Sequence, residues 1–85
     1  LSDEDVWVRY FSARALGRRR SEESVEALER VIKKEKFNHV RIAALDSLGQ
    51  IGGRRVAGIV ADLVGDDDPD VAHAAEVALE KCQRG

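Results

Sequence analysis

The chain has 85 residues, of which 44% are apolar and 35% are charged, and its net charge is −2 at pH 7. This length fits one small domain, and an apolar fraction made mostly of Ala, Val, Leu and Ile favours a helical domain over a disordered segment. The balanced charge provides no general attraction to nucleic acid, and no apolar run reaches the roughly 18 residues of a membrane span.

The first two predicted helices are α1, over residues 4–16, and α2, over residues 22–35. Apolar residues at helical spacing are expected to form the inward stripe of α1: Val8, Phe11, Ala15 and Leu16. Gly17 is expected to end α1, because glycine adopts the left-handed cap conformation at little cost. Ser21 is the expected N-cap of α2. The inward stripe of α2 is expected to comprise Val25, Leu28, Val31 and Ile32.

Three further helices are predicted: α3 over 38–50, α4 over 54–65 and α5 over 69–82. Asn38 is the expected cap of α3, and Pro69 suits the first turn of α5, where its missing N–H costs nothing. The glycines expected to end α3 are Gly49, Gly52 and Gly53. The apolar positions expected to face inward are Val40, Ala43, Ala44, Leu45 and Leu48 in α3, Val56, Ile59, Val60 and Leu63 in α4, and Val71, Ala74, Ala75, Ala78 and Leu79 in α5.

The helices occur in similar copies. Residues 8–17 align with residues 40–49 at an offset of 32, residues 71–79 follow at an offset of 31, and α2 aligns with α4 in the same way. A repeat of this period indicates stacked supersecondary units and favours binding over catalysis. We therefore expect a single repeat domain over 1–85, with repeats at about 4–35, 37–65 and 68–82. Because the chain has no Met and begins at Leu1, we expect it to be part of a longer protein.

Three segments resemble a known family: Trp7-Val8-Arg9 with Ala15-Leu16-Gly17, residues 39–49, and residues 68–79, which read Asp-Pro-Asp-Val-x-x-Ala-Ala-x-x-Ala-Leu. They resemble HEAT-like repeats, and among these the short variety named after phycobilisome lyases. The resemblance implies an all-α, right-handed α-α superhelix (a HEAT-like solenoid), with A helices α1, α3 and α5 convex and B helices α2 and α4 concave. It also implies a polar contact between repeats by Arg9 and Arg41, which the third repeat lacks because it has Ala72.

One rim of such a solenoid is expected to collect cations from the turns that follow the A helices. This basic rim comprises Arg18, Arg19, Arg20, Arg54, Arg55, Lys81 and Arg84. The rim is a candidate site for phosphate or an acidic partner. The alternative is that these side chains are solvated cations, which the helix dipole favours at helix C-termini.

The opposite rim is expected to collect carboxylates. They are Asp3, Glu4, Asp5, Asp66, Asp67, Asp68 and Asp70. A calcium loop that starts at Asp66 would need Gly at its sixth position and Glu at its twelfth, and the chain has Val71 and Val77 there. We therefore expect these carboxylates to cap helices or to be solvated.

The remaining reactive residue types are few and scattered. Neither His39 nor His73 is followed by Glu, so the His-Glu pairs of HEAT-like iron hydroxylases are missing. Cys82 lies near the C-terminal end with no partner close in sequence. We expect no catalytic residue, no metal and no cofactor. A lone cysteine, which cannot form an internal disulfide, indicates a reducing compartment, the cytoplasm.

Two surfaces are candidates for partner binding. Trp7 takes the place of polar residues in the other repeats, so it either faces an interface or folds over the N-terminal end of the array. The B helices are expected to line the concave surface with mixed charge, which suits a protein or peptide ligand. Their outward positions are Glu22, Glu26, Glu29, Arg30, Lys33, Arg55, Ala57 and Asp62. Because no helix pairs with α5, unpaired apolar surface is expected there, at Ala74, Val77 and Ala78.

The expected function is a non-catalytic protein–protein interaction scaffold, whose partner is another protein. The residues expected at the partner site are Trp7, Arg18, Arg19, Arg20, Glu26, Glu29, Arg30, Lys33, Arg54 and Arg55. One alternative is nucleic-acid or phosphate binding through the basic rim, and another is a bilin-lyase-like accessory role, which the family name suggests. End-to-end self-association is a further alternative for the exposed ends of the array.

Overall fold

Five α-helices lie in two layers. The computed structural model describes residues 3–84, with side chains over residues 6–84, and that part of the chain contains no β-strand. The helices are α1 (Asp3–Leu16), α2 (Glu22–Lys34), α3 (Asn38–Ile51), α4 (Arg54–Ala61) and α5 (Pro69–Arg84). The A helices α1, α3 and α5 pack side by side, and the B helices α2 and α4 pack mainly on α3 and α5 respectively. The all-α repeat architecture is confirmed, as a slab of 38 × 29 × 15 Å.

The hydrophobic core centres on α3, which contacts the other four helices. Its Val40, Leu45 and Leu48 are fully buried. The other helices contribute mostly Val and Ala: Ala13, Val25, Leu28, Ile32, Val56, Val60, Val71, Ala74, Ala75 and Ala78. The predicted inward stripes of α2 to α5 are therefore confirmed, although four of their members are only partly buried, namely Val31, Ile59, Leu63 and Leu79.

The ends of the helices lie within two residues of the predicted ones except at α4, and the predicted cap of α3 also differs. Ser21 caps α2 as predicted, since its Oγ accepts the N–H of Ser24 at 3.1 Å. Asn38 does not cap α3: the N-cap is Phe37, and the Asn38 Nδ2 instead donates to Asp68 Oδ2 at 2.7 Å. The prediction that α4 reaches residue 65 was also wrong, because the helix ends at Ala61 and residues 62–65 form turns.

The glycines at the ends of the A helices allow close packing. Gly17 has no left-handed backbone conformation, contrary to the prediction, and the positive φ in its turn belongs to Arg20, at 51°. A Cβ on Gly17 would lie 2.8 Å from the Ser47 Cβ and 2.9 Å from its Cα. Gly49 lies within α3 rather than after it, and a Cβ there would lie 3.1 Å from the Ala78 Cα. Both glycines thus let successive A helices approach backbone to backbone.

The inward face of α1 was predicted wrongly. Val8 and Phe11 are 62% and 61% exposed, and Ala15 is exposed as well. The buried residue of α1 is Ala13, which faces α3. Leu16 is partly buried against the core, so it points inward as predicted. The spacing of apolar residues correctly predicted a helix, but it did not identify which apolar face has a neighbour.

The predicted apolar surface at the far end of the array was also wrong. Ala74 and Ala78 are buried on the side of α5 that meets α3, and only Val77 remains 36% exposed. The outer side of α5 instead presents Glu76 and Glu80, both exposed. The two ends of the described structure therefore differ in chemistry, with apolar side chains at α1 and carboxylates at α5.

Candidate protein-binding surfaces

Two equivalent ion pairs each join an A helix to the link that follows its own B helix. The Arg9 Nε donates to Glu35 Oε1 at 2.6 Å, and the Arg41 Nη2 donates to Asp66 Oδ1 at 3.1 Å. Each acceptor lies in the link from a B helix to the next A helix. Arg9 and Arg41 therefore make the predicted polar contacts, and the acceptors lie in the links rather than in the neighbouring helix pair. Ala72 has no side chain with which to repeat it.

The same hydrogen bonds stabilise the ionised carboxylates. The Arg9 guanidinium lowers the pKa of Glu35 most, and the backbone N–H groups of Phe37 and Lys36 add to that effect. The pKa of Asp66 is lowered by the backbone N–H of Asp68 and then by Arg41. The links before α3 and α5 are thus each held by a carboxylate whose hydrogen bonds favour its ionised form.

Acid is expected to weaken this fold progressively. The folded-state pKa values of Glu35 and Asp66 lie below the usual 4.5 and 3.8, so the stability that they contribute is present above those values and is lost as pH falls below them. Urea midpoints measured between pH 6 and pH 2.5 should fall on acidification, and less steeply in Arg41→Met than in the parent chain. Lys33→Met, which removes an exposed pair with Glu29, is the control and should keep the parent slope. Equal slopes in all three chains would contradict the assignment.

A groove lies between α2, Arg9 of α1 and the link that leads to α3. We call it the basic groove; it has a volume of about 460 Å³ and is lined by Arg9, Ala27, Arg30, Val31, Lys34, Glu35, Lys36 and Phe37. The α2 members recur at intervals of three and four residues, which places them on one face of the helix. Of the lining residues, only Arg30 was predicted as a site residue. The other α2 residues of the groove could have been predicted from their spacing, because Ala27, Val31 and Lys34 lie on one partly apolar face of the helix.

The charges of the basic groove are unevenly matched. Glu35, its carboxylate, is already bonded to Arg9. Arg30, Lys34 and Lys36 are exposed, and within the side chains described, residues 6–84, none of the three lies within ion-pair distance of a carboxylate. The groove thus presents three cations around an apolar floor.

Aromatic side chains continue from the basic groove toward the first turn of α1. The Trp7 ring lies 5.8 Å from those of Tyr10 and His39, and the Phe37 ring lies 6.0 Å from that of His39. Trp7 is 54% exposed and Phe37 47% exposed. Trp7 is therefore exposed, and its contact with His39 directs it toward the second repeat; its role at an interface stays a prediction.

Five of the predicted concave residues, Glu22, Glu26, Glu29, Lys33 and Arg55, lie together and pair with one another. The Arg55 guanidinium lies 2.9 Å from a carboxylate oxygen of Glu22, and 3.8 Å from carboxylate oxygens of Glu26 and Glu29. Lys33 also pairs with Glu29, at 3.5 Å. These contacts connect α4 to α2 across the surface, although exposed pairs of this kind add little stability. A partner that binds these side chains would have to replace their existing ion pairs.

The basic rim is divided into two clusters. Arg18 lines one pocket with Arg14, Lys81 and Asp46, and Arg20 lines another with Arg54 and Arg55. Burial raises the pKa of Asp46, and the nearby Lys81 and Arg14 oppose that rise. The remaining members of the rim are Arg19, which is exposed, and Arg84, which pairs with Glu80. The expected rim of cations exists, and acidic neighbours are interspersed within it.

One of the aspartates before α5, Asp68, caps that helix, as predicted. The Asp68 Oδ1 accepts the backbone N–H groups of Asp70 and Val71, at 2.9 and 3.1 Å. The side chains of the other acidic group, Asp3, Glu4 and Asp5, lie outside the described residues. Over the described part of the chain, no three His, Cys, Asp or Glu residues converge as a metal site would require. Burial raises the pKa of the Cys82 thiol, which disfavours its reactive thiolate.

Successive helix pairs, equivalent ion pairs and close glycine contacts describe a stacked α-helical repeat, and the sequence profile of HEAT repeats matches residues 1–80. The chain belongs to the HEAT repeat family. HEAT repeats commonly mediate protein–protein interaction, and the family is typically non-catalytic. The match does not separate the phycobilisome-lyase variety from other HEAT repeats, so that subtype stays a prediction.

Two further findings concern this HEAT repeat chain. No curated protein matches it. Among the helices described in the structure, none has both the length and the apolar content needed to cross a membrane.

Proposed function

We propose that this HEAT repeat chain is a non-catalytic protein-interaction module that binds an acidic segment of a partner protein in the basic groove. The observation behind this proposal is the combination of three unmatched cations with an apolar floor. Long cationic side chains attract carboxylates, while Ala27, Val31 and Phe37 offer apolar contact to the side chains between them.

The surroundings of the groove favour a peptide over a nucleic acid. The neighbouring face of α2 carries Glu22, Glu26 and Glu29, and these three carboxylates are paired with only two cations, Arg55 and Lys33. A continuous phosphate backbone would meet these carboxylates on leaving the groove. A short acidic peptide, by contrast, fits within the groove and leaves the acidic face free.

Several predicted partner-site residues lie outside the basic groove and remain predictions. They are Trp7, Arg18, Arg19, Arg20, Glu26, Glu29, Lys33, Arg54 and Arg55. Trp7 is the closest of them in character, because Phe37 joins the aromatic side chains to the groove through His39. A cytoplasmic location is part of the same proposal, and the single cysteine supports it.

Charge reversal in the groove is expected to abolish peptide binding. The probe is a fluorescein-labelled six-residue peptide of alternating Glu and Leu, which spans about 20 Å when extended, titrated by fluorescence polarisation. Arg30→Glu combined with Lys34→Glu should weaken its binding at least about tenfold, because two attractive contacts become repulsive. The control, Arg19→Glu combined with Arg54→Glu, makes the same change in net charge on the basic rim and should bind like the parent.

Other outcomes would overturn the proposal. Equal loss in both double variants would mean that the peptide responds only to overall charge. Binding of a twelve-nucleotide single-stranded DNA that is tighter than peptide binding, and that the Arg19 and Arg54 reversals abolish, would favour the nucleic-acid alternative. Circular dichroism of each variant establishes that the chain remains helical.

A further inference from the structure

One face of α1 is exposed where the same face of the other A helices is buried. We call it the back face of α1; it comprises Val8, Phe11, Ser12 and Ala15, all exposed. The aligned residues are Val40, Ala43, Ala44 and Ser47 in α3, and Val71, Ala74, Ala75 and Ala78 in α5. Each of those eight is 7% exposed or less. The exposure of this face therefore differs because another helix pair covers it on α3 and α5 and none covers it on α1 within the described residues.

The structure contains two examples of what covers this face. On α3 the cover is the preceding helix pair: α1 approaches so closely that the Ser47 Oγ donates to the Ala13 carbonyl at 2.7 Å, and α2 packs beside it. On α5 the cover is α3, with Gly49 against Ala78, together with α4. In both cases an A helix and its B helix act together. In both cases a glycine of the covering A helix meets the last residue of the covered face.

A second copy of this chain does not fit the back face in the same register. The covering surface of α1 is Ala13 and Gly17, and that of α3 is Leu45 and Gly49. The aligned residues of α5 are Glu76 and Glu80. Docking α5 of one copy on α1 of another would bury two carboxylates against Phe11 and Ala15, which is unfavourable for unpaired charges. The predicted end-to-end self-association is therefore not the cover that this face favours.

We infer that the back face of α1 is the docking site of a preceding HEAT repeat, an A–B helix pair joined to the N-terminal side of α1. Its A helix presents a glycine or alanine opposite Ala15 and a small residue opposite Phe11, because Phe11 is larger than the alanines aligned with it. The outer face of α5, with Glu76 and Glu80, lacks the small residues by which α1 and α3 cover the next A helix. This inference stands independently of the basic groove.

A tandem duplication tests this inference directly. A second copy of residues 3–34 placed immediately before Asp3 supplies an A–B pair in register, with Ala13 and Gly17 as its covering surface. The duplicated chain should unfold in one transition at a higher temperature than the parent. Phe11→Asp in the copy adjoining α3 should lower that melting temperature by about 10 °C, because the charge is then buried. In the 85-residue parent, where Phe11 is 61% exposed and only its ring contacts with Tyr10 and Trp7 are lost, the decrease should be no more than about 4 °C.

The control is Val77→Asp, the same kind of change on the outer face of α5, which should shift both chains equally. A duplicated chain whose melting temperature Phe11→Asp does not lower more than that of the parent would overturn the inference. A parent dimer in analytical ultracentrifugation that Phe11→Asp dissociates would also overturn it, since a second copy would then cover the face. The reading frame of the source gene is a further test. It should encode a helix pair of about one repeat period directly before Leu1, and a frame that starts at this chain would overturn the inference.

Discussion

Replacing Gly17 with alanine is expected to lower the free energy of unfolding by about 2–3 kcal/mol. Gly17 does not need a positive φ, so alanine meets no backbone penalty there. The loss comes from contact: the new Cβ would lie 2.8 Å from the Ser47 Cβ and Oγ and 2.9 Å from its Cα. Helix α3 would have to move away, and the buried bond from Ser47 to the Ala13 carbonyl would weaken.

Gly58 provides the matched control for this substitution. It lies within α4, and a Cβ there would meet no atom within 4 Å. Gly58→Ala should therefore stabilise the chain by about 0.5–1 kcal/mol, because alanine loses less backbone entropy in a helix. Urea unfolding of both variants at 25 °C measures the two free energies. The same sign of change in both would show that the close approach of α1 and α3 is not what requires Gly17.

Replacing Leu45 with alanine is expected to lower the free energy of unfolding by about 3 kcal/mol. Leu45 is fully buried on the central helix, which packs against every other helix, so the cavity has little freedom to collapse. For a chain of this size the loss is a large fraction of the total stability. Thermal and urea unfolding should both show it.

Val8→Ala is the comparison for Leu45→Ala. Val8 is 62% exposed, so truncation removes little buried area, and alanine is the better helix former. The free energy of unfolding should stay within about 0.5 kcal/mol of the parent, with any change toward greater stability. A loss comparable to that of Leu45→Ala would mean that Val8 is buried in solution by a neighbour absent from the described structure.

The sequence was sufficient for the helices, their order and their period. The apolar stripes of α2 to α5 point inward as predicted, since each of these helices is covered on the face that its own spacing marks. The ion pairs of Arg9 and Arg41 were also predictable, because the repeat placed a cation at the same position twice. The repeat period and the spacing of apolar residues can be read from the sequence alone, because they do not depend on contacts between distant residues.

The partner surface was predictable only in part. Arg30 was identified because it lies on the outward side of α2. Lys34, Lys36 and Phe37 were missed because the basic groove joins α1, α2 and the link before α3, and Arg9 is brought to Phe37 only by folding. The concave charges were predicted to be available, whereas Arg55 pairs with three of them. Pairing between distant side chains has no local signature in a sequence.

The sequence by itself determined that this chain forms stacked HEAT repeats, because helical spacing and a period of 31 or 32 residues are written along it. Only the tertiary structure decided which apolar faces are core and which are surface. Val8 and Val40 are aligned members of similar helices, yet Val40 is fully buried and Val8 is exposed. Burial depends on a neighbour across space, and α3 has one on this face where α1 has none within the described residues.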